Sequence, residues 1–282
     1  MRLGVCTWVW TAPLRDADVT PLAERARRLG FDVLEVCVED PALVSADALA
    51  AARDQTGVAY SVCGAFGPDR DLAHAETAPR RRAADYLARL TELAAAVGSP
   101  HVCGPMYSSV GKAHPPEPAE ARREWERAVE GVGAVADRAA AAGVRLAIEP
   151  LNRYETDLLN TAEQGVAFCA DVGRENVGLL LDTYHLNIEE KSLGEAIRTA
   201  AARLFHVHAC ENDRGTPGTG HVPWAEVFDA LRDVGYDGQV VIESFTPAVK
   251  EIARAVSLWR PLDADGDDLA AGGLGFLRQS LS

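Results

Sequence analysis

The chain has 282 residues, 48% apolar and 25% charged, the balance of a soluble globular protein. Its formal net charge of −14 has no compensating basic patch. That argues against nucleic acid or an anionic membrane surface as partner, and suits a divalent cation with a neutral substrate. No stretch approaches the roughly 18 apolar residues of a membrane-spanning helix.

The opening run MRLGVCTWVWTAP sets a short apolar segment behind one arginine. It lacks the cleavage region of a signal peptide and reads as a first buried strand. Cys6, Cys37, Cys63, Cys103, Cys169 and Cys210 show no CxxC pairing, and four of them sit in strand-like runs. There cysteine acts as a small hydrophobe, so reduced structural thiols in a cytoplasmic protein are expected.

Strand-like and helix-like segments then alternate. LGVCTW (3–8) precedes a helix with Asp18 or Thr20 as cap, Pro21 in its first turn and Gly30 at its end. FDVLEVCV (31–38) leads to a helix near 45–56, and GVAYSVCG (57–64) to a helix over 77–97 that stops at Gly98. PHVCG (100–104) and the Pro- and Gly-rich loop PMYSSVGKAHPPEP come before a helix from about Ala119 to Ala142. GVRLAIEP is strand five, with a helix over Thr161 to Ala170, and NVGLLLDT is strand six, with a helix over 189–201. ARLFHVHA (202–209) precedes a helix over 223–234, and GQVVIES (238–244) precedes Val249–Trp259 as helix eight. The tail from Pro261 to Ser282 reads as an acidic surface turn and a short terminal helix; its aspartates lack the closing Glu of a calcium loop.

Strands of nearly continuous apolar character belong in a parallel sheet covered by helices. Eight such units fit a single-domain (β/α)8 TIM barrel over residues 1–282. No GxGxxG follows the first strand, so a dinucleotide fold has no support.

Barrel chemistry is assembled at the C-terminal strand ends. Glu149, Asp182, His208 and Glu243 stand there, separated by 33, 26 and 35 residues, about one strand–helix unit each. A single acidic strand end is often a helix cap, and a lone His208 fits a satisfied core histidine. Four on successive units are harder to dismiss, because unpaired they would repel and destabilise the barrel. Three carboxylates and an imidazole make a hard site suited to Mn²⁺, Mg²⁺ or Co²⁺. His206 shares a strand face with His208, with Val207 opposite. Metal with two glutamates suggests proton transfer at carbon. Glu155 after strand five, His185 after strand six and Arg214 in a glycine-bearing loop are candidate substrate contacts. Trp8, Tyr107 and Ser108 are candidate wall residues, and Cys37 is another near the pocket.

The stretches IEPLNRYETDLLNTAEQGVAF, LLDTYHLNIEEKSLGEAIRTA, HVHACENDRGTPGTGHVPW and VVIESF, with GPMYSSVG upstream, resemble the ketose 3-epimerases. This is the D-tagatose 3-epimerase and D-psicose (D-allulose) 3-epimerase group of the xylose isomerase-like barrels. The resemblance spans nearly the whole chain and is strongest from 147 to 245. It implies that Glu149, Asp182, His208 and Glu243 bind Mn²⁺ or a similar ion. It also implies that Glu149 and Glu243 are the acid and base at C3 of a free ketose, working through a cis-enediolate. His185 and Arg214 would hold the C2 oxygen region, and Glu155 the C1 and C2 hydroxyl end. D-tagatose, D-fructose/D-psicose and L-ribulose are the expected substrate class, and a homodimer or homotetramer the expected assembly.

Related barrels would keep the metal site and change the loop contacts: hydroxypyruvate or aldose–ketose isomerases, and inosose dehydratases. A non-catalytic sugar-binding barrel would lack one of the site residues, and none is missing here. A metallo-endonuclease barrel would need extra histidines and a basic surface.

Overall fold

The computed structural model describes residues 1–114 and 117–281, so Pro115 and Pro116 of the Pro-rich loop and the terminal Ser282 lie outside the described residues. Eight parallel strands close into a barrel in sequence order. They are β1 Arg2–Cys6, β2 Val33–Val38, β3 Ala59–Gly64, β4 His101–Gly104, β5 Arg145–Ile148, β6 Val177–Asp182, β7 Leu204–Ala209 and β8 Gln239–Ile242. The barrel closes where β1 runs parallel to β8, with Val5 opposite Ile242. Every residue of β2 and β6 is buried, as expected of strands covered on both faces. The (β/α)8 barrel reading therefore matches the structure.

The outer layer holds α1 Asp16–Leu29, α2 Ala46–Thr56, α3 Thr77–Val97, α4 Pro118–Ala141, α5 Ala162–Val172, α6 Thr183–Glu189, α7 Leu193–Ala200, α8 Trp224–Asp233, α9 Lys250–Ala255 and α10 Gly266–Leu281. Local chemistry explains most boundaries. Gly30 (φ 101°) and Gly98 (φ 71°) end α1 and α3 in the left-handed region, where a side chain would be strained. Thr161 and Gln164 form a reciprocal capping box at α5.

Three boundaries differ from the sequence expectation. Helix α1 begins at Asp16, because the Asp18 carboxylate turns back to accept from the Arg15 N–H at 3.0 Å. Pro21 therefore lies inside the helix. The helix expected over 189–201 is Leu193–Ala200, and a further helix, Thr183–Glu189, precedes it. The further helix starts directly at the end of β6, capped by Asp182, and Ser192 starts the expected one by accepting from Glu195 N at 3.1 Å.

The third difference concerns helix eight. Only Lys250–Ala255 is helical within 249–259. The place between α8 and α1 is taken by α10, a 16-residue helix that also packs on β1 and β8. The acidic run before it is the start of that helix: the Asp265 carboxylate accepts from the N–H groups of Asp267 and Asp268. Arg278 ties its far end to the Gly30 carbonyl at 2.6 Å. Freed from closing the barrel, α9 sits over the C-terminal rim.

Because Leu277 of α10 is fully buried, Leu277→Ala should destabilise the protein by about 2–5 kcal/mol. Denaturant unfolding checks this, and a change below about 1 kcal/mol would mean that α10 is not part of the core.

Candidate active site

Four side chains from four successive strands meet at the C-terminal rim. Glu149 follows β5, Asp182 ends β6, His208 lies near the end of β7 and Glu243 follows β8. All are buried, and their ligand atoms lie within 4.8 Å of one another. Asp182 and His208 face each other in the β6–β7 register. The His208 Nδ1 stands 3.4 Å from Glu243 Oε1 and 3.9 Å from both Glu149 Oε1 and Asp182 Oδ2. It is buried and has no hydrogen-bond partner among the described residues. An orphaned imidazole nitrogen facing three carboxylates is a donor set that a hard divalent cation fits.

Asp182 serves two purposes. Its Oδ1 accepts from Tyr184 N at 2.6 Å to cap α6, while Oδ2 faces the cluster. One oxygen of Asp182 thus caps α6 and leaves the other turned to the cluster.

Arg214 is the cation already present. Its Nη1 lies 2.9 Å from Glu243 Oε2 and 3.1 Å from Asp182 Oδ2, and its guanidinium stacks 3.9 Å over the Tyr184 ring. Arg214 takes a left-handed backbone (φ 69°), a conformation a non-glycine residue holds only when its surroundings fix it. Glu211 does the fixing. Its Oε1 accepts from the backbone N–H of Asn212 and Val222, and its Oε2 from Gly218 N and Trp224 Nε1.

One guanidinium among three carboxylates leaves the cluster short of positive charge, and the titration of the acids reflects it. Burial pushes Glu149 well above the usual carboxylate range, with the charge of Glu243 adding to it. Burial also raises Asp182 to about 7, against the pull of Arg214. For Glu243 burial is outweighed by His208 and Arg214, which hold it down at about 2.

The cluster opens into a cavity of about 410 Å³. Glu149, Glu155, His185, Arg214 and Glu243 form its polar end, and Phe66, Val110, Phe245 and Ile252 of the α9 region wall the rest. Trp8 lines it too, held by a 2.7 Å bond from its indole N–H to Glu39. His185 accepts at Nδ1 from the backbone N–H of Asn152 at 3.0 Å, and its Nε2 lies 3.2 Å from Arg214 Nη2. That Nε2 lies 3.7 Å from Glu149 Oε1. Asn152 also donates to Glu155 at 2.8 Å, which ties the two polar wall residues together.

Tyr107 does not line the cavity. It is fully buried, its hydroxyl donates to the Leu159 carbonyl at 3.2 Å, and its ring packs near Phe168, so it supports the wall from behind. Ser108 is likewise turned away, to Thr156. Cys37 is buried outside the cavity, and Cys63 is the thiol that reaches it. All six cysteines are free and buried.

Three supporting polar residues are absent from the sequence expectations, Asn152, Glu211 and Glu35, and the last is fully buried inside β2. It lies 2.7 Å from His208 Nε2 and 2.8 Å from His206 Nε2. Its signal was present, a lone carboxylate within the apolar run FDVLEVCV, where a charge needs partners.

With this geometry in hand, the likenesses to known proteins have a physical setting. Residues 23–279 match the model of the xylose isomerase-like TIM barrel family. The L-ribulose 3-epimerase of Mesorhizobium japonicum is 36% identical over 278 residues, which is 98% of this chain and 93% of that protein. The chain belongs to this family, in its ketose 3-epimerase group. The ketose 3-epimerase of Arthrobacter globiformis is 34% identical, covering 100% of this chain and 97% of its own. A crystal structure of D-allulose 3-epimerase from Methylomonas sp. superimposes with a TM-score of 0.94 at 32% identity, covering 100% of this chain and 98% of that one.

In this epimerase-group chain the Arg214 loop depends on an ionised Glu211, whose bonds from Trp224 and from backbone N–H groups outweigh burial and lower its pKa. A glutamine there must turn its NH₂ towards a donor, so Glu211→Gln should cost about 2 kcal/mol at pH 7. A lowered folded pKa gives stability that is full above the unfolded value of about 4.3 and is lost as pH falls through the folded one. Thermal denaturation of both proteins from pH 7 to pH 3 should show the gap closing at the acid end; a constant gap would contradict the account.

Proposed function

We propose that this protein interconverts free ketoses epimeric at C3, with Mn²⁺, or else Co²⁺ or Mg²⁺, held by Glu149, Asp182, His208 and Glu243. The observation that carries the reading is the pair Glu149 and Glu243. Both border one cavity beside the Nδ1 of His208, which is buried without a hydrogen-bond partner among the described residues. The full-length likeness to L-ribulose and ketose 3-epimerases supports it.

Inverting a carbon by deprotonation and reprotonation needs one group on each face, and the adjacent ketone makes the C3 proton removable. One glutamate takes that proton, a cis-enediolate forms across C2 and C3, and the other glutamate returns a proton to the opposite face. When bound, the divalent cation supplies positive charge where negative charge develops on the C2 oxygen. Arg214 and His185 Nε2, 3.2 Å apart, face the same end of the cavity and hold the C2 oxygen region. Glu155, kept in place by Asn152, binds the C1 and C2 hydroxyl end, and Trp8 closes an apolar wall.

The free sugar is favoured over a phosphorylated one by the lining. Among the described residues the cavity has Arg214 as its one cation, and that guanidinium is engaged by Glu243 and Asp182. A phosphate would want further cations or a cradle of N–H groups. D-tagatose, D-fructose/D-psicose and L-ribulose are the substrates we favour. We extend the reading to the whole chain as one barrel domain and to a homodimer or homotetramer. A reducing, cytoplasmic setting is in keeping with the six free thiols. No helix among the described residues is long and apolar enough to cross a membrane.

At saturating Mn²⁺, Glu243→Gln should lower kcat for C3 epimerisation by at least about 10²-fold while leaving ketose affinity within a few-fold. Normal turnover in that variant would contradict the assigned role. Adding Mn²⁺ to chelator-treated protein at 100 times its Kd should raise stability by about 2.7 kcal/mol, reversed by chelation. An unchanged melting temperature would remove the metal from the account.

A further inference from the structure

His208 is gripped from behind. Its Nδ1 faces the three carboxylates, and its Nε2 lies 2.7 Å from Glu35 Oε1. Glu35 belongs to β2 and His208 to β7, strands that are not neighbours, so the bond crosses the barrel interior. The second oxygen, Oε2, accepts from Ser61 Oγ at 2.8 Å, lies 2.8 Å from His206 Nε2 and 3.4 Å from Cys103 Sγ. Three donors on Oε2 fix the carboxylate and leave Oε1 to His208 alone.

An ionised carboxylate only accepts hydrogen bonds. When His208 is neutral, as a metal ligand must be, its one proton therefore lies on Nε2, which leaves the lone pair on Nδ1. The competing tautomer carries Nδ1–H, which would donate to Glu243 Oε1, 3.4 Å away, and satisfy the cluster from within. That form has no lone pair on Nδ1, the nitrogen that faces the carboxylates.

We propose that Glu35 is a positioning residue that holds His208 in the tautomer able to bind the metal, with Ser61 and His206 holding Glu35 in turn. The proposal rests on the metal site described above. Glu35 touches neither the cavity nor the three rim carboxylates, so it acts through the imidazole. Carboxylates behind metal-bound histidines typically change metal affinity 10- to 100-fold when removed.

The test compares Mn²⁺ binding, by competition with a chelator of known affinity, in the full-length wild type, Glu35→Gln and Ser61→Ala. The expected result is a Kd raised about 10- to 100-fold in Glu35→Gln and by a smaller factor in Ser61→Ala, with activity recovered by excess Mn²⁺. A merely structural role would lower the melting temperature of the metal-free protein and would not be rescued by metal. Wild-type affinity in a folded Glu35→Gln overturns the proposal and leaves the metal site standing. Absence of Mn²⁺ binding by the wild type overturns both. If Glu35→Gln does not fold, ¹⁵N NMR of the Mg²⁺-loaded wild type decides. An Nε2–H tautomer at His208 supports the proposal, and an Nδ1–H tautomer overturns it.

Discussion

Three buried carboxylates within 4.8 Å of one another set the terms for the upper half of this barrel. Such a cluster is unfavourable unless positive charge and hydrogen-bond donors reach it. The fold supplies both from several directions: Arg214 from the loop after β7, His208 from the strand beside Asp182, and the N-terminus of α6 at Asp182 itself. What the protein leaves uncompensated, next to an imidazole nitrogen without a partner among the described residues, is the space a divalent cation suits.

Around that cluster each supporting contact has an identifiable purpose. Glu211 collects four N–H donors and so shapes the loop that holds Arg214 in a left-handed conformation. Asn152 joins His185 to Glu155, so two polar side chains of the cavity are oriented by one residue. Helix α9 lies over the rim because α10 has taken the outer position that closes the barrel. The cavity is thus polar at the strand ends and apolar towards its mouth, as small-molecule sites commonly are.

Much of this was legible in the residues. An apolar run that ends in a carboxylate, repeated at one-unit spacing, marks strand, direction and rim together, which is why Glu149, Asp182, His208 and Glu243 were readable as one group. The rest depended on tertiary choices. Nothing local says whether 249–259 or the tail will close the barrel, since both are amphipathic; the buried leucines of α10 decide it. The further helix α6 turns on Asp182 capping a helix straight from its strand, a second use for a residue already read as a ligand. Tyr107 looked like a wall residue because of its place after β4, but its hydroxyl found the Leu159 carbonyl. Glu35 escaped notice because partners for an interior charge come from distant strands, 171 and 173 residues away in sequence.

The central claim is that this rim moves a proton at C3 of a free ketose, and it can be tested on the unmodified protein. D-tagatose, D-fructose and L-ribulose incubated with the Mn²⁺-loaded enzyme in deuterated water and followed by NMR should acquire deuterium at C3 as the C3 epimer appears. Deuterium at C1 with an aldose product, or no solvent exchange into any of the three sugars, would contradict it.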